Sequence, residues 1–367
     1  MPRKLETDRW LFLATLTLCL MGAVMVFSAS AVTARDQYGN GYHFLWRQLL
    51  WLAFGLAGMF AMMNFDYRRL RQPRFVFTLL SVVLLMLTGL FFLDQSHDTY
   101  RWIRLGPASL QPSELAKLAV ILFLAWFLEA RRRPHSFGVN SFQHTLLPAL
   151  GVVLLIAGLV LLEPDLGTAF ELFLIALAML FVAGLSPAYL LGAGLVAIPI
   201  LYLAVVRVPY RYERVMVFLH PEADPRGAGF QLMQSLIAVG SGGFSGVGLM
   251  ESRQKLFYLP EAHTDFIYAV LCEELGFLGG VTVLVLFALY AWRGLRAVLR
   301  ARDEFACFLA LGVTVMIVGQ ALVNLGVVLG MMPTKGIALP FISYGGSSLF
   351  VNLLATGVLL NIGQNGE

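Results

Sequence analysis

An all-α polytopic membrane protein, with ten transmembrane helices and both termini cytoplasmic, is the fold class this sequence predicts. Three observations carry that expectation. The 367 residues are 59% hydrophobic and 13% charged, against roughly 45–50% and about 25% in soluble domains. Apolar runs of about 18 residues or more recur along the chain, the length a helix needs to cross a bilayer. Arginine clusters follow alternate runs, and the positive-inside rule orients the spans from them.

The first span covers 10–32, after Arg3, Lys4 and Arg9. Ala29-Ser30-Ala31 resembles a signal-peptidase site, but the apolar stretch exceeds the roughly 7–15 residues of a signal core. It is therefore expected to remain as a membrane helix. The second and third spans, 45–64 and 75–93, enclose Arg68, Arg69, Arg71 and Arg74, and Arg131, Arg132 and Arg133 follow the fourth, 114–130. The fifth and sixth, 146–163 and 168–185, are joined by Glu163-Pro164-Asp165. The seventh is 188–206 and the eighth 266–292, with Arg293, Arg296, Arg300 and Arg302 after it. The ninth and tenth are 306–332 and 348–362. All basic clusters then face the cytoplasm. One domain, 1–367, accounts for the chain, with a large extracytoplasmic loop at about 207–265 between spans seven and eight. Within it, 230–239 has helical spacing suited to lying along a membrane surface.

Several function classes lose support here. The basic excess, 26 Lys+Arg over 22 Asp+Glu, sits in short loops and does not suggest nucleic acid. Cys19, Cys272 and Cys307 lie in apolar runs without metal or redox spacing. "GSGGFSGVG" (240–248) has nucleotide-fingerprint glycines, but that motif needs a strand before it and a helix after it. Its glycines fit tight turns or close backbone approach.

The outward segments concentrate polar groups: Trp102, Arg104, Ser113, Glu114 and Lys117; Glu163 and Asp165; Arg211, Glu213, Arg214, Asp224 and Arg226; Lys255, Glu261, His263 and Asp265; Lys335, Ser343 and Tyr344. A single helix-end cation can snorkel to the interface. A whole set on one face marks a site, because ionisable groups near the bilayer are costly unless paired or hydrated. "EAHTD" (261–265) has metal-ligand residue types but lacks the helical His-to-His spacing of hydrolytic zinc sites. No tightly bound cofactor is expected; a loosely held Mg²⁺ or Mn²⁺ bridging Asp265 to a phosphate is the form a metal would take. Glu273 and Glu274, two turns into the eighth span, are expected to bond neighbouring helices.

Asp265 stands apart. It meets the outward end of a helix, where the positive dipole end favours a carboxylate, and a general base must be ionised, reachable and rigidly held. Nearby Arg and Lys suit phosphate oxygens. Carboxylate and cations together on the outer face suggest a phosphate-bearing, lipid-linked substrate.

"MVFSASA" (25–31), "RWIRLGPASLQPSELAKL" (101–118), "EPDLGTA" (163–169), "GFQLMQSLIAVGSGGFSGVGL" (229–249), "QKLFYLPEAHTDFIYAVLCEELGFLG" (254–279) and "PTKGIALPFISYGGSS" (333–348) together resemble the SEDS family (shape, elongation, division and sporulation) of bacterial peptidoglycan polymerases. "PTKG" and "LPEAHTD" are more similar to its division (FtsW-type) branch than to its elongation (RodA-type) branch. Glu163 replaces the family's usual Gln, and Phe257 stands where division proteins often have Glu.

The resemblance implies glycosyl transfer between two lipid II molecules outside the bacterial cytoplasmic membrane. Asp265 maps onto the family's essential aspartate as the base. Arg104, Lys117, Arg214 and Lys255 are candidates for holding the departing pyrophosphate; Glu261, His263, Lys335 and Ser343 for shaping the substrate mouth with Trp102; Glu114, Asp165, Glu273 and Glu274 for support. It further implies a class B penicillin-binding protein transpeptidase as partner, within the division or elongation machinery. A lipid II flippase and a non-catalytic scaffold are the rival functions. Polar groups outside rather than at the midplane weigh against a transporter.

Overall fold

The computed structural model describes residues 7–93, 101–105, 108–133, 136–207, 209–220, 229–256 and 258–366. Arg3, Lys4, Asp224, Arg226 and Phe257 lie outside the described residues, as do the side chains of Arg104, Arg211, Glu213 and Arg214.

Helix α1 (Arg9–Tyr38) begins where the Asp8 carboxylate accepts the Leu11 N–H at 3.1 Å, and ends at Gly39 in the left-handed region, φ 69°. Both are the end signals expected of a helix. Helix α2 (His43–Asn64) and α3 (Pro73–Leu93) are joined by a 3₁₀ turn, Tyr67–Arg71. Leu85 and Phe54 on these helices are exposed, as lipid-facing residues are. A short antiparallel pair follows, β1 (Ile103–Leu105) with β2 (Ala108–Leu110), Arg104 opposite Ser109. This pair departs from the all-α expectation.

Then come α4 (Pro112–Arg132), with proline in its first turn, α5 (Leu147–Leu162), α6 (Leu166–Val182) and α7 (Pro187–Val206). The loop beyond contains α8 (Pro209–Leu219), which its polar pattern did not announce, and α9 (Phe230–Ser241). Rather than only lying on a surface, α9 packs on α10 and α11 and buries Leu232 and Ala238, and its Ser235 hydroxyl donates to the Val328 carbonyl at 2.8 Å. The chain closes with α10 (Ile267–Leu299), α11 (Glu304–Val328) and α12 (Gly346–Asn365).

Helices occupy all ten predicted intervals. Length and composition alone single out seven among the described residues: α1, α2, α3, Phe142–Leu162, α10, α11 and α12. Helix α6 is shorter, and α4 carries Glu114, Lys117 and Glu129. Helices α11 and α12 bury residues all round and sit at the centre, flanked by α2, α4 and α10. A helix apolar on every face needs such a place.

Helix α10 is broken at Gly276 (φ 65°, ψ −163°), and the glycine-rich loop repairs the break. Val247 and Gly248 N–H groups donate to the Glu273 and Glu274 carbonyls at 3.0 and 3.1 Å. Phe277 and Leu278 N–H groups donate to Gly243 and Phe244 at 2.9 and 3.3 Å. Backbone groups at membrane depth must be satisfied within the protein, and this loop supplies the partners that the helix lost. A Cβ at Gly246 or Gly276 would collide with the facing backbone.

Gly276→Ala is therefore expected to destabilise the protein by about 3 kcal/mol, combining a forbidden backbone region with overpacking. Hydrogen exchange should show lost protection at Val247, Gly248 and Phe277. Gly240→Ala, where a Cβ meets open space, should leave that protection intact.

Candidate active site

Asp265 lies in the turn that leads into α10, two residues before Ile267. The turn is built on Glu261 (φ 54°), whose carbonyl accepts the Thr264 and Phe266 N–H groups at 3.2 Å each. The Thr264 hydroxyl donates to the Glu261 carboxylate at 2.8 Å. Outside the turn, the 333–345 segment grips it: Ser343 Oγ donates to the Thr264 carbonyl at 2.6 Å and Tyr344 N–H to the His263 carbonyl at 3.0 Å. The His263 ring sits 4.8 Å from Phe44 and 5.7 Å from Tyr344. Burial holds this imidazole below its usual pKa despite the Glu261 charge, so it serves as a neutral packing group.

A cavity of about 350 Å³ opens beside this turn. Five carboxylates, Glu114, Asp165, Glu171, Glu261 and Asp265, share its wall with Arg101 and Trp102. Gly336 closes one side; a Cβ there would come within 2.8 Å of Asp265 Oδ2. Asp165 caps α6, accepting the Thr168 N–H at 3.1 Å and its hydroxyl at 2.7 Å, with Gln111 at 3.2 Å.

The structure separates the predicted cations. Lys117 is fully buried behind the wall, 3.1 Å from Glu114 and Glu171, and donates to Gln320 Oε1 at 2.9 Å. A buried ammonium requires such partners, so its charge is already spoken for by two carboxylates. Lys255 is likewise absent from the wall: it is buried 2.9 Å from Glu274 Oε1 and bonds Ser28 Oγ at 3.3 Å. Both lysines, expected at the pyrophosphate, are seated in internal ion pairs. Lys335 lies 5.0 Å over the Phe170 ring.

Glu274 accepts the Ser28 hydroxyl at 2.6 Å, tying α10 to α1. Glu273 instead holds the loop, accepting from the Ser252 hydroxyl and the Arg253 N–H. The backbone of Arg104 lies on β1 and that of Arg214 on α8.

Sequence reasoning missed Arg101, Gln111, Glu171, Gln320, Asn324 and Gly336. For Glu171, Gln320 and Asn324 a signal existed: an acid in the sixth apolar run, and two amides four residues apart in the ninth. Among the described residues no three His, Cys, Asp or Glu side chains converge on a metal-holding arrangement.

Glu163 closes α5, buried, and neither carboxyl oxygen has a hydrogen-bond partner among the described residues. Arg101 Nε donates instead to the Glu163 backbone carbonyl at 3.0 Å. Burial first, then the Asp165 charge, pushes the carboxyl up to about 8, opposed by Arg101. The folded state then binds an extra proton between the ordinary value of 4.5 and about 8. Stability is full below 4.5 and is lost as pH rises through that window. At ~1.4 kcal/mol per tenfold, the loss has an upper limit of about 4–5 kcal/mol. Glu163→Gln keeps the neutral shape, so its thermal midpoint should stay flat from pH 5 to 9 while that of the parent falls.

A multi-pass helical membrane protein built around a carboxylate-lined cavity is the class that this fold and site define. The chain belongs to the cell cycle protein family of FtsW, RodA and SpoVE, whose family model matches residues 9–367. It is 43% identical over 363 residues to the probable peptidoglycan glycosyltransferase FtsW of Trichlorobacter lovleyi, covering 98% of this chain and 94% of that protein. It is 43% identical over 365 residues to the stage V sporulation protein E of Bacillus subtilis, covering 99% and 98%. A chain of a solved peptidoglycan synthase complex superposes with a TM-score of 0.78 at 34% identity, covering 98% of each. The rod shape determining protein RodA of Thermus thermophilus gives 0.72 at 30% identity, covering 100% and 99%.

Proposed function

We propose that this chain is a peptidoglycan glycosyltransferase that joins lipid II units into glycan strands, with Asp265 as general base. The observation that carries the reading is the placement of Asp265: on the wall of a polar cavity, at a helix N-terminus, in a turn held from two sides. Asp265 takes the proton from the acceptor GlcNAc 4-hydroxyl. That oxygen attacks the anomeric carbon of the donor MurNAc, the carbon–oxygen bond to pyrophosphate breaks, and undecaprenyl pyrophosphate leaves with the electron pair. The donor centre inverts. Arg101 on the wall, with Arg104 and Arg214, is the proposed set of cations that meets the developing phosphate charge. Glu114, Glu171 and Lys117 form a fixed floor.

A Mg²⁺ or Mn²⁺ would need the substrate's diphosphate to complete its ligands, since the described residues do not assemble three; no step is routed through it.

We further infer ten spans in the bacterial cytoplasmic membrane, both termini cytoplasmic and the cavity outside. Support comes from α10, whose 33 residues, kinked at Gly276, lead from the turn beside the cavity to the arginine-bearing end. There Arg293 meets Asp8 at 2.6 Å, Arg71 meets Glu129 at 2.6 Å and Arg132 meets Glu304 at 3.6 Å. A class B penicillin-binding protein is the proposed partner, and division the proposed setting, with elongation second.

The buried Lys117–Glu171 pair inside the bundle favours a lipid II flippase as the second reading. The test is purified full-length protein with its transpeptidase, given lipid II in detergent. Glycan strands are expected. Transport of lipid II across proteoliposome membranes without polymer would install the flippase reading, and neither activity would leave the scaffold.

A further inference from the structure

We propose that Asn324, one turn after Gln320 on α11, is the positioning residue that sets the Asp265 carboxylate against the cavity. This rests on Asp265 being the base. Asn324 is 1% exposed within a largely apolar helix, a place where an amide is costly unless its polar groups are used. Its Nδ2 donates to two carbonyls from separate segments: that of Asp265 itself at 2.8 Å and that of Ile337 at 2.7 Å. Two carbonyl acceptors fix which end of the amide is the nitrogen.

Ile337 follows Gly336, whose Cα faces Asp265 Oδ2 so closely that a methyl would reach 2.8 Å. One amide therefore sets the spacing between the backbone of the base and the wall against which its carboxylate rests. Gln320, at the i−4 position of the same face, repeats the device: Nε2 donates to the Ala338 carbonyl at 2.8 Å, while Oε1 accepts from Lys117. The pair thus links the Lys117 floor to the Asp265 turn through α11. Asn324 Oδ1 is buried with no partner among the described residues, so the site bears an unmet acceptor while both donors are used. A residue serving only cohesion would be better replaced by an apolar one. The donors are what the site needs.

A merely structural amide would alter the thermal midpoint and leave turnover per folded molecule alone. A positioning amide changes kcat, because a displacement of about 1 Å at a reacting group costs on the order of 10²-fold. The experiment compares Asn324→Asp, Asn324→Ser and Asp265→Asn with the parent, each full-length with its transpeptidase, over a range of lipid II concentrations and from pH 6 to 9.

Asn324→Asp keeps the shape but can donate only one bond, and only while protonated. Its kcat should fall roughly 10–100-fold at neutral pH with KM nearly unchanged. Its activity relative to the parent should fall further as pH rises. Asn324→Ser, which keeps one donor, should lose less and covers the case in which the aspartate variant fails to fold. Parental kcat in either folded variant, or a loss confined to KM, overturns the inference while Asp265→Asn remains inactive. Parental activity in Asp265→Asn overturns the base reading and this inference with it.

Discussion

Asp265→Asn is expected to end glycan-strand formation, lowering kcat by roughly 10²–10⁴-fold, the range that a positioned general base supplies. The substitution keeps the size of the side chain and removes the ability to take a proton. The backbone contacts that build the turn, Asn324 to the Asp265 carbonyl and Ser343 to the Thr264 carbonyl, do not involve the carboxylate. Folding should therefore survive, with a thermal midpoint close to the parent's and lipid II still retained. Steady-state polymerisation with labelled lipid II, alongside a binding measurement, reads both quantities. Equal turnover in the variant would remove Asp265 from the chemistry.

Breaking the Lys255–Glu274 pair is expected to have the largest effect on stability. Both side chains are buried, the Lys255 Nζ stands 2.9 Å from Glu274 Oε1, and Ser28 of α1 completes the group. Removing one partner leaves an uncompensated charge in a low-dielectric site, at a cost of about 3–5 kcal/mol. Lys255→Met and Glu274→Leu should each lower the thermal midpoint. The double substitution should recover at least half of the loss, because the pair's own net contribution is small once both desolvation costs are gone.

Kinetics of the surviving folded fraction separate this from a role in substrate binding. KM for lipid II should be unchanged in Lys255→Met if the lysine serves the internal pair. A raised KM with an unchanged midpoint would return Lys255 to the pyrophosphate.

Much of the membrane architecture is legible along the chain because its signals are local. Apolar runs declare helices, Pro112 and Asp165 mark helix starts, and Asp265 is conspicuous where a loop meets an apolar run. The glycines of 240–248 were readable as sites of close backbone approach; what they approach was not, since the break at Gly276 is some thirty residues further on. The fate of the lysines was hidden for a related reason. Lys255 finds its acid 19 residues on and its hydroxyl 227 residues back. Lys117 has Glu114 beside it on the same helix, yet Glu171 and Gln320 come from two others. From sequence alone, a cation near the membrane surface looks available to a phosphate.

What the sequence determined by itself is the class of the protein, its helical intervals and the prominence of Asp265 where a loop meets an apolar run. Each follows from residues within one or two helical turns of one another. Only the tertiary structure decided which charges are spent inside the protein, which line the cavity, and that Asn324 joins the Asp265 and Ile337 carbonyls. Those outcomes depend on which helices pack together, and burial makes the choice. An ammonium or carboxylate taken out of water must find its partner in whatever segment lies opposite, however distant along the chain.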